Sequence, residues 1–364
     1  MRTGLLVQAM IGVLFAASGA AQADAPCRTS GGGHGEAPAV IAAADALQKL
    51  LTPAQRTAFA RPLDRESAIR WSNLPTGIVP RAGLRLGDLD AAQSAAAHRL
   101  AEAALSACGL KMLDEIRVAD DLLMAVDDRK IGWSGGNYYM SVLGTPSERT
   151  PWMLQMGGHH IAYNFTFNGG GEGATPLFFG TEPIRFAVKG VNYEPLAVQS
   201  NVMANLARAL AAYPQAKLSG TFTDVVKGVV VVPVPGQMPT GGTDTGFPQT
   251  YPAGSVDRGI LYSALSTPEQ AQVRAALESY ASLPGEAITR ALVAAYESSD
   301  ALAQTYVGYS GAPTLAAKGS YVRIDGPRIW MEFVVQPAVA NPAENHYHAL
   351  WRDKQSDYGG QVAR

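Results

Sequence analysis

The 364-residue sequence has little charge. Lys and Arg total 29 and Asp and Glu total 31, so charged residues make up 16% of the chain and the formal net charge is −2. Ordinary globular proteins have about 25% charged residues. The lack of a basic excess argues against a nucleic-acid-binding surface, and the 47% hydrophobic content argues against disorder. We expect a folded, nearly neutral protein, long enough for about two domains or one elaborated domain.

Cysteine is also scarce. Cys27 and Cys108 are the only two cysteines, and their spacing is not that of a zinc or thiol-redox motif. They either form one disulfide, which would tie the N-terminal tail to a helix, or remain two free thiols. The sequence lacks a Walker phosphate loop and a His-Glu-x-x-His motif, which removes two further common kinds of site.

Long apolar runs are absent except at the N-terminus. There, Arg2 precedes the apolar stretch Leu5–Ala17, and Ala21-Gln22-Ala23 matches the small-x-small pattern of a cleavage site. The apolar stretch is shorter than the roughly 20 residues that a membrane span needs. We therefore predict a signal peptide over 1–23, cleaved after Ala23, a flexible tail over 24–39, and a secreted or periplasmic mature chain without a membrane span.

Helical and extended patterns are grouped along the rest of the sequence rather than alternating, which favours an α+β fold. The expected architecture is a helical N-terminal part packed on a largely antiparallel sheet, with further helices inserted, in one unit over 40–364. Thr52-Pro53 predicts a helix start, and Gly109 predicts the end of the helix before it. Helices are predicted at 40–51, 88–107, 110–123 and 196–212 and after Ser266 and Ser282, and strands at 138–143, 152–156, 161–167, 227–234, 321–324 and 329–335, the last two as a hairpin.

Four of the six histidines fall into two short windows: His159 and His160 are adjacent, and His346 and His348 are separated by one residue. Alternate residues of a strand point to the same side, so His346 and His348 can present two imidazoles to one ion. Three imidazoles and an open position suit catalytic zinc, and histidine-rich sites also suit copper. We expect a metal site built from these four histidines; metal-free catalytic imidazoles and purely structural histidines are the alternatives.

Strand alternation bears on the choice between His159 and His160. In one continuous strand, His160 would share a more polar face with Asn164, whereas His159 would share the apolar face of Ile161 and Tyr163. This pattern favours His160 as the third ligand and His159 as a residue behind it. The opposite assignment stays open, and a bend at the preceding glycines would change both.

Charged residues near the histidines are candidates for proton transfer and substrate binding. Glu332 is an acid among bulky residues on one face of a predicted strand. Asp353 could orient a histidine or pair with Arg352, and Arg352, like Arg81 and Arg185, could hold an anionic substrate. Glu332, Asp353 and Arg352 are the predicted catalytic residues.

One nucleophile motif matches by sequence alone, because Gly132-Trp133-Ser134-Gly135-Gly136 fits Gly-x-Ser-x-Gly. A nucleophile elbow needs a buried strand before the serine and a helix after it. Here a charged segment over 127–130 precedes the motif and a strand-like segment over 138–143 follows it. We therefore interpret Ser134 as a turn residue.

Several short segments form a specific combination across the chain. They are Trp71-Ser72-Asn73-Leu74-Pro75, Arg81-Ala82-Gly83-Leu84, Gly144-Thr145-Pro146, Trp152 through His160, Tyr321 through Pro327, and His346-Tyr347-His348 through Asp353. On these segments the sequence resembles the large bacterial domain-of-unknown-function family numbered 3500. The resemblance runs from about Leu47 to Tyr358 and implies one family-length unit rather than two shuffled domains. It implies no activity.

These observations lead us to expect an exported, histidine-ligated metalloenzyme of unknown substrate. With zinc, the ion would lower the pKa of a bound water toward about 7, with Glu332 or Asp353 as base or orienting partner. With copper, the same imidazoles would serve oxidation, and Tyr347, Tyr163 or Trp351 could lie near the metal. Hydrolysis is slightly favoured because zinc is a common occupant of three-imidazole sites. The alternative is a non-catalytic periplasmic metal-binding or carrier protein.

Overall fold

The computed structural model describes residues 35–127, 129, 131–169, 172–228 and 250–362. The signal peptide expected at 1–23, most of the tail expected at 24–39, His34 and the stretch 229–234 of an expected strand lie outside these ranges. Cys108 is disulfide-bonded, and the other cysteine of the chain, Cys27, also lies outside the described residues.

The helices largely follow the predicted pattern of apolar spacing and caps. In the described ranges the α-helices are α1 (Ala37–Leu50), α2 (Pro53–Phe59), α3 (Arg65–Ala68), α4 (Ala91–Ala104), α5 (Ala107–Val126), α6 (Ala197–Leu210), α7 (Thr267–Ala281), α8 (Glu286–Tyr296) and α9 (Ser299–Ala303). Thr52 caps α2 as predicted, since its side chain accepts a hydrogen bond from the Gln55 N–H. The described end of the expected tail is ordered differently from the prediction: the Gly35 N–H donates to Ala103 O over 2.8 Å, and α1 begins at Ala37.

The prediction that Gly109 ends a helix was wrong. Helix α4 already ends at Ala104, and Ser106 starts α5 by accepting a hydrogen bond from the Gly109 N–H. A Cβ at position 109 would lie 2.0 Å from Leu283 O. The glycine therefore allows the close approach of the α5 start to the segment that follows α7.

Among the described residues, eleven strands form one mostly antiparallel sheet, which confirms the α+β class. The strands in this part of the chain are β1 (Ala60–Arg61), β2 (Leu84–Arg85), β3 (Tyr139–Leu143), β4 (Trp152–Gly158), β5 (Ile161–Phe167), β6 (Leu177–Thr181), β7 (Phe186–Val188), β8 (Val191–Tyr193), β9 (Ile260–Leu261), β10 (Tyr306–Ser310), β11 (Tyr321–Asp325), β12 (Ile329–Pro337) and β13 (Asn345–Asp353). The sheet order is β1-β3-β4-β5-β6-β13-β12-β11-β10-β9, with β2 paired to β3 and with β7–β8 as a separate hairpin. The predicted hairpin is β11–β12, and β13 lies near the middle of the sheet.

The two faces of this sheet have different coverings. One face, which we call the helix-covered face, is apolar, and its Phe333, Met331 and Trp351 join helix residues in one large core cluster. The other, which we call the loop-covered face, carries His346 and His348. Two cross-strand residue pairs farther along the strands, it also carries polar residues of β11 and β12. Its apolar patches pack against Ala68, Ile69 and Trp71 and against the segment at 218–225.

The start of the strand predicted at 227–234 is a turn. Instead of joining the sheet, the Val226 and Lys227 N–H groups donate to the Glu332 carboxylate over 2.5 and 2.8 Å. The carboxylate thereby replaces a neighbouring strand as their acceptor. This contact holds the segment before it against the loop-covered face.

Candidate metal centre

His346 and His348 project from β13 onto the loop-covered face, as strand alternation predicts. His346 is paired across the sheet with Gln336, and His348 with Val334 on one side and Gly180 on the other. Both imidazoles are buried. Their Nε2 atoms lie 3.1 Å apart.

His159 and His160 do not lie in a strand. They are the two turn residues between β4 and β5, and His160 has a φ of +64°, the left-handed conformation that a type II turn requires at its second central residue. Their ring centroids are 3.6 Å apart. The expectation that a continuous strand would send them to opposite faces was therefore wrong, and the bend at this point places both rings side by side.

The turn brings His160 to the β13 histidines. Its ring centroid lies 5.5 Å from that of His346 and 5.2 Å from that of His348. One ring nitrogen from each of the three residues lies within 4.8 Å of the others. His160 is buried, and its Nδ1 has no hydrogen-bond partner among the described residues, so this imidazole offers an interior nitrogen that none of them uses.

Hydrogen bonds at Nδ1 fix the protonation of the two β13 imidazoles. His346 Nδ1 lies 2.8 Å from Pro337 O, and His348 Nδ1 lies 2.8 Å from Asp224 Oδ1. A carbonyl and a carboxylate can only accept, so both Nδ1 atoms carry the hydrogen, and in the neutral form of each ring, the form that binds metal ions, Nε2 is bare. Two nitrogen lone pairs then face each other across 3.1 Å, an arrangement that a cation between them would stabilise.

The Gln336 amide offers the opposite tautomer. The amide nitrogen of Gln336 lies 2.9 Å from His348 Nδ1 and would donate a hydrogen bond to that atom if it were bare. The hydrogen of the His348 ring would then lie on its own Nε2, and the Asp224 carboxylate would face the lone pair of Nδ1. The charged carboxylate forms the stronger hydrogen bond. Turning the Gln336 amide by 180° would instead bring its oxygen to the same N–H.

A second carboxylate holds His159. Asp120 of α5 lies with Oδ1 2.6 Å from His159 Nδ1, and the Tyr138 hydroxyl bridges Asp120 Oδ2 (3.0 Å) and His159 O (2.5 Å). Asp120, His159 and His160 form a second group of possible ligands that shares His160 with the first. The Asp–His pair is the arrangement that commonly orients metal-binding imidazoles.

Close packing fixes the backbone around the rings. A Cβ on Gly180 would lie 2.6 Å from Tyr347 O, 2.9 Å from His160 Cδ2 and 3.0 Å from His348 Cδ2, so only glycine fits between the two histidines. Arg81 donates to the carbonyl oxygens of Ser72, Leu74, Val79 and Gly158. It therefore ties the covering loop to the end of β4 and is committed to structure rather than free to bind a substrate.

Burial sets the charge of the imidazoles. It lowers the pKa of His159 and of His160 well below the ordinary value, and neighbouring histidines lower that of His160 further. Burial, together with the nearby His348, lowers the pKa of His346 to about 2. Neutral imidazole is the form that binds metal ions.

The predicted catalytic residues Glu332 and Arg352 lie on the same face but farther along the strands. Glu332 is buried, and its oxygens accept hydrogen bonds from Val226 N–H, Lys227 N–H, the Tyr321 hydroxyl and Trp330 Nε1. Arg352 donates to Lys227 O over 2.7 Å and to Asp357 over 2.8 Å. The structure does not bring either residue to the histidines.

Asp353 falls on the other face. It accepts hydrogen bonds from Tyr296 of α8, Arg328 and the N–H groups of Gln355 and Ser356. Tyr347 and Trp351 share its strand parity, and Tyr163 contacts Met112 of α5, so the aromatic residues expected near copper face the helices. The Trp133 ring instead contacts the histidine turn, with its centroid 4.5 Å from that of the His159 ring.

Two further predicted residues also lie apart from the histidines. Ser134 Oγ contacts Asp121 at 3.4 Å and accepts from the Gly136 N–H, in a segment without helix or strand. Arg185 is exposed and pairs with Glu194 at 2.7 Å.

Sequence reasoning missed Asp224 and Asp120. Asp120 could have been found from the sequence, because it shares the buried, apolar stripe of α5 with Leu113, Ile116 and Leu123, and an acid in such a position needs a partner. Asp224 could not, because it precedes an apolar run and comes from a loop 124 residues before His348. Glu182 is also buried; its Oε2 lies 3.9 Å from His346 Nδ1, and its carboxylate accepts hydrogen bonds from the Val339 and Ala340 N–H groups.

Comparison with known proteins adds a family but no activity. A family model described as Protein of unknown function (DUF3500) matches residues 34–360. No curated protein and no solved structure matches the chain. Across the described ranges, no helix is long and apolar enough to cross a membrane. The family match spans more of the chain than the motifs predicted from Leu47 to Tyr358, and it confirms the resemblance. The chain belongs to the DUF3500 family of proteins of unknown function.

Proposed function

We propose that this protein is a metalloenzyme that binds one transition-metal ion through His160, His346 and His348. The observation that carries the proposal is the pair of bare Nε2 atoms 3.1 Å apart, with an acceptor at each Nδ1. Two imidazole nitrogens that share one ion at 2.0–2.1 Å lie about 3.3 Å apart in tetrahedral geometry. A small inward movement of the His160 ring would complete a three-imidazole set.

The ligand set supports zinc or copper. All three donors are imidazole nitrogens, without the thiolates that would close a structural zinc site, and a fourth position remains for water or substrate. With zinc, the bound water would have a pKa near about 7, which suits hydrolysis, and we favour this over oxidation with copper. We propose Asp224, whose side chain is 49% exposed, as the carboxylate that orients His348.

Metal analysis of the purified protein tests the proposal. We expect about one equivalent of zinc or copper to co-purify or to be restored after chelation. His348→Ala should abolish this binding. His98→Ala is the matched control, because His98 is a half-exposed histidine that also pairs with a carboxylate, Asp114, at 3.1 Å, and it should retain the metal.

Two results would contradict the metal centre. One is less than about a tenth of an equivalent of any transition metal after reconstitution. The other is equal loss of metal in both variants. Retention of metal by His348→Ala would move the site to the Asp120–His159 group.

A non-catalytic metal-binding or carrier protein is a second candidate, and the depth of the site favours it. His160 is 1% exposed, His346 2% and His348 5%, which leaves little room for a substrate. Metal exchange separates the two functions. A carrier should release its ion to a competing chelator within minutes, whereas an enzyme should retain the ion through turnover of a model ester or an oxidisable phenol.

We also propose that the chain is exported, on the pattern of residues 1–23. Expression of the full chain in a Gram-negative host should yield a periplasmic product whose N-terminal residue is Asp24. Sequencing of the purified product checks this. An intact N-terminus in the cytosolic fraction would contradict it.

A further inference from the structure

A second polar cluster lies on the loop-covered face, farther along β11 and β12 than the histidines. Across these strands Arg323 pairs with Glu332, and Asp325 with Trp330. Lys227, Arg258 and Lys354 approach from the covering segments. We call Lys227, Arg258, Arg323 and Lys354 the cationic cluster.

The cations gather around one buried indole. The Arg323 guanidinium carbon lies 4.8 Å from a Trp330 ring centroid, Lys354 Nζ 5.6 Å and Lys227 Nζ 5.7 Å. Such contacts give partial compensation for buried positive charge. They bring three like charges close together.

Two carboxylates of the described residues lie within the cluster, and neither forms a salt bridge with Arg323 or Lys227. Asp325 bonds with Arg258 at 2.7 Å and with Lys354. Glu332 accepts hydrogen bonds from neutral donors of the described residues, two backbone N–H groups, a phenol and an indole. Among the described residues, the four cations of the cluster therefore exceed its carboxylates by two, and the adjacent Arg352 is paired with Asp357.

Two donors of the cluster lack an acceptor among the described residues. Arg323 is 4% exposed and donates to Asp257 O over 2.7 Å, but its buried Nε has no partner among those residues. Lys227 Nζ contacts the Trp330 and Tyr251 rings and has no hydrogen bond to any described residue. Burial lowers the pKa of Lys227; the Glu332 carboxylate opposes this shift, and the neighbouring Arg323 adds to it.

We infer that the cationic cluster is an oxyanion site, which takes a phosphate-type dianion between Arg323 and Lys227. Excess buried charge needs a counter-charge. An oxyanion with two negative charges supplies it and gives acceptors to the unused N–H groups of Arg323 and Lys227. The site is separate from the metal centre and does not depend on it. Free phosphate and a phosphate ester offer the same chemistry.

Calorimetric titration of the mature protein with inorganic phosphate, at pH 8 and low salt, tests this site. We expect one saturable site, weakened at least about tenfold by Arg323→Gln and by Lys227→Gln. Arg290→Gln is the matched control, since Arg290 is an exposed helix residue paired loosely with Glu286 at 3.7 Å; it should bind as the wild type does. Lys227 lies in a turn, so its variant gives a result even if Arg323→Gln does not fold.

Further measurements distinguish free phosphate from a phosphate ester, and the oxyanion site from the metal centre. Phenyl phosphate that binds more tightly than inorganic phosphate would identify an ester as the ligand, and equal or weaker binding would identify the free ion. The phosphate site should persist in metal-free His348→Ala protein. No saturable binding up to about 10 mM, equal affinities in all variants, or binding that disappears with the metal would each overturn the proposal.

Discussion

The helix-covered and loop-covered faces of the same sheet carry different kinds of residue. From one strand, β13, Ala349 and Trp351 enter the large apolar core under the helices, whereas His346, His348 and Arg352 face the loops. The helices bury their face with apolar side chains. The loops cover the other face with hydrogen bonds to carboxylates, carbonyls and imidazoles, so polar side chains can be buried on that face.

This difference separates stability from function along each strand. Apolar burial contributes most of the free energy of folding and does not depend on a few specific atoms. The loop-covered face depends on individual donors and acceptors, each of which has few substitutes. We therefore expect substitutions on the two faces to give different patterns of loss.

Matched deletions of one aromatic ring on each face should show the largest effect. Phe165 of β5 is buried among helix residues, and Phe178 of β6 contacts the His348 ring with centroids 5.0 Å apart. Each change to Ala should lower the free energy of unfolding by about 3–5 kcal/mol. Phe165→Ala should retain the metal affinity, and Phe178→Ala should reduce it.

Urea unfolding of the metal-free proteins and metal titration of the folded proteins measure the two losses. Equal loss of metal affinity in both variants would show that the faces are not functionally separate.

The sequence predicted which face of the sheet a residue occupies where strand alternation alone determines it. Alternation placed His346 and His348 on one side, and the grouping of elements predicted α+β. The strands predicted at 152–156 and 161–167 left His159 and His160 between them, and a bend there was an open possibility, but the local pattern did not show that a two-residue turn places the two rings side by side. It also misassigned Gly109, whose role is a close contact with Leu283 from a distant segment.

Long-range partners explain the rest of what could not be predicted. Asp224 and Asp120 reach the histidines from a loop and a helix that only the folded chain brings near. Proximity in sequence suggested Asp353 instead, but odd spacing from His348 puts it on the other face. Glu332 was correctly seen as an unusual buried acid, and two of its donors, Trp330 and Tyr321, lie in the predicted hairpin. The other two, the Val226 and Lys227 N–H groups, come from 106 and 105 residues earlier and could not be predicted.

The loop-covered face should also carry a measurable pH dependence. Burial raises the pKa of Asp357 from 3.8 to about 6, although Arg352 opposes the shift. As the pH rises from about 4, the unfolded chain loses this proton first, so the contribution of the group to stability is present at low pH and is lost by about pH 6. The loss is at most about 3 kcal/mol.

Asp357→Asn should remove this contribution. Relative to wild type, the variant should therefore gain stability between pH 4 and pH 7 in urea unfolding. Asp45→Asn, at an exposed position of α1, is the control and should follow the wild-type profile. Parallel profiles for wild type and Asp357→Asn would contradict the raised pKa.

The smallest effect we expect concerns a single hydrogen bond at the metal centre. Asp224→Ala removes the acceptor from His348 Nδ1, so Gln336 can donate there and the hydrogen moves to Nε2. The metal affinity should then fall about 10–100-fold, the usual effect of losing such a partner, with little change in the stability of the metal-free protein. Competition with a chromophoric chelator measures the affinity.

The matched control is Asp114→Ala, which removes the carboxylate from His98, an Asp–His pair at the surface. It should leave the affinity unchanged. Nitrogen-15 NMR of the metal-free proteins gives a second readout, because the two tautomers of His348 have different ring nitrogen shifts. An Nε2–H tautomer already present in the wild type would mean that Nε2 donates to His346, that the two lone pairs do not face each other, and that no cation is required between these rings.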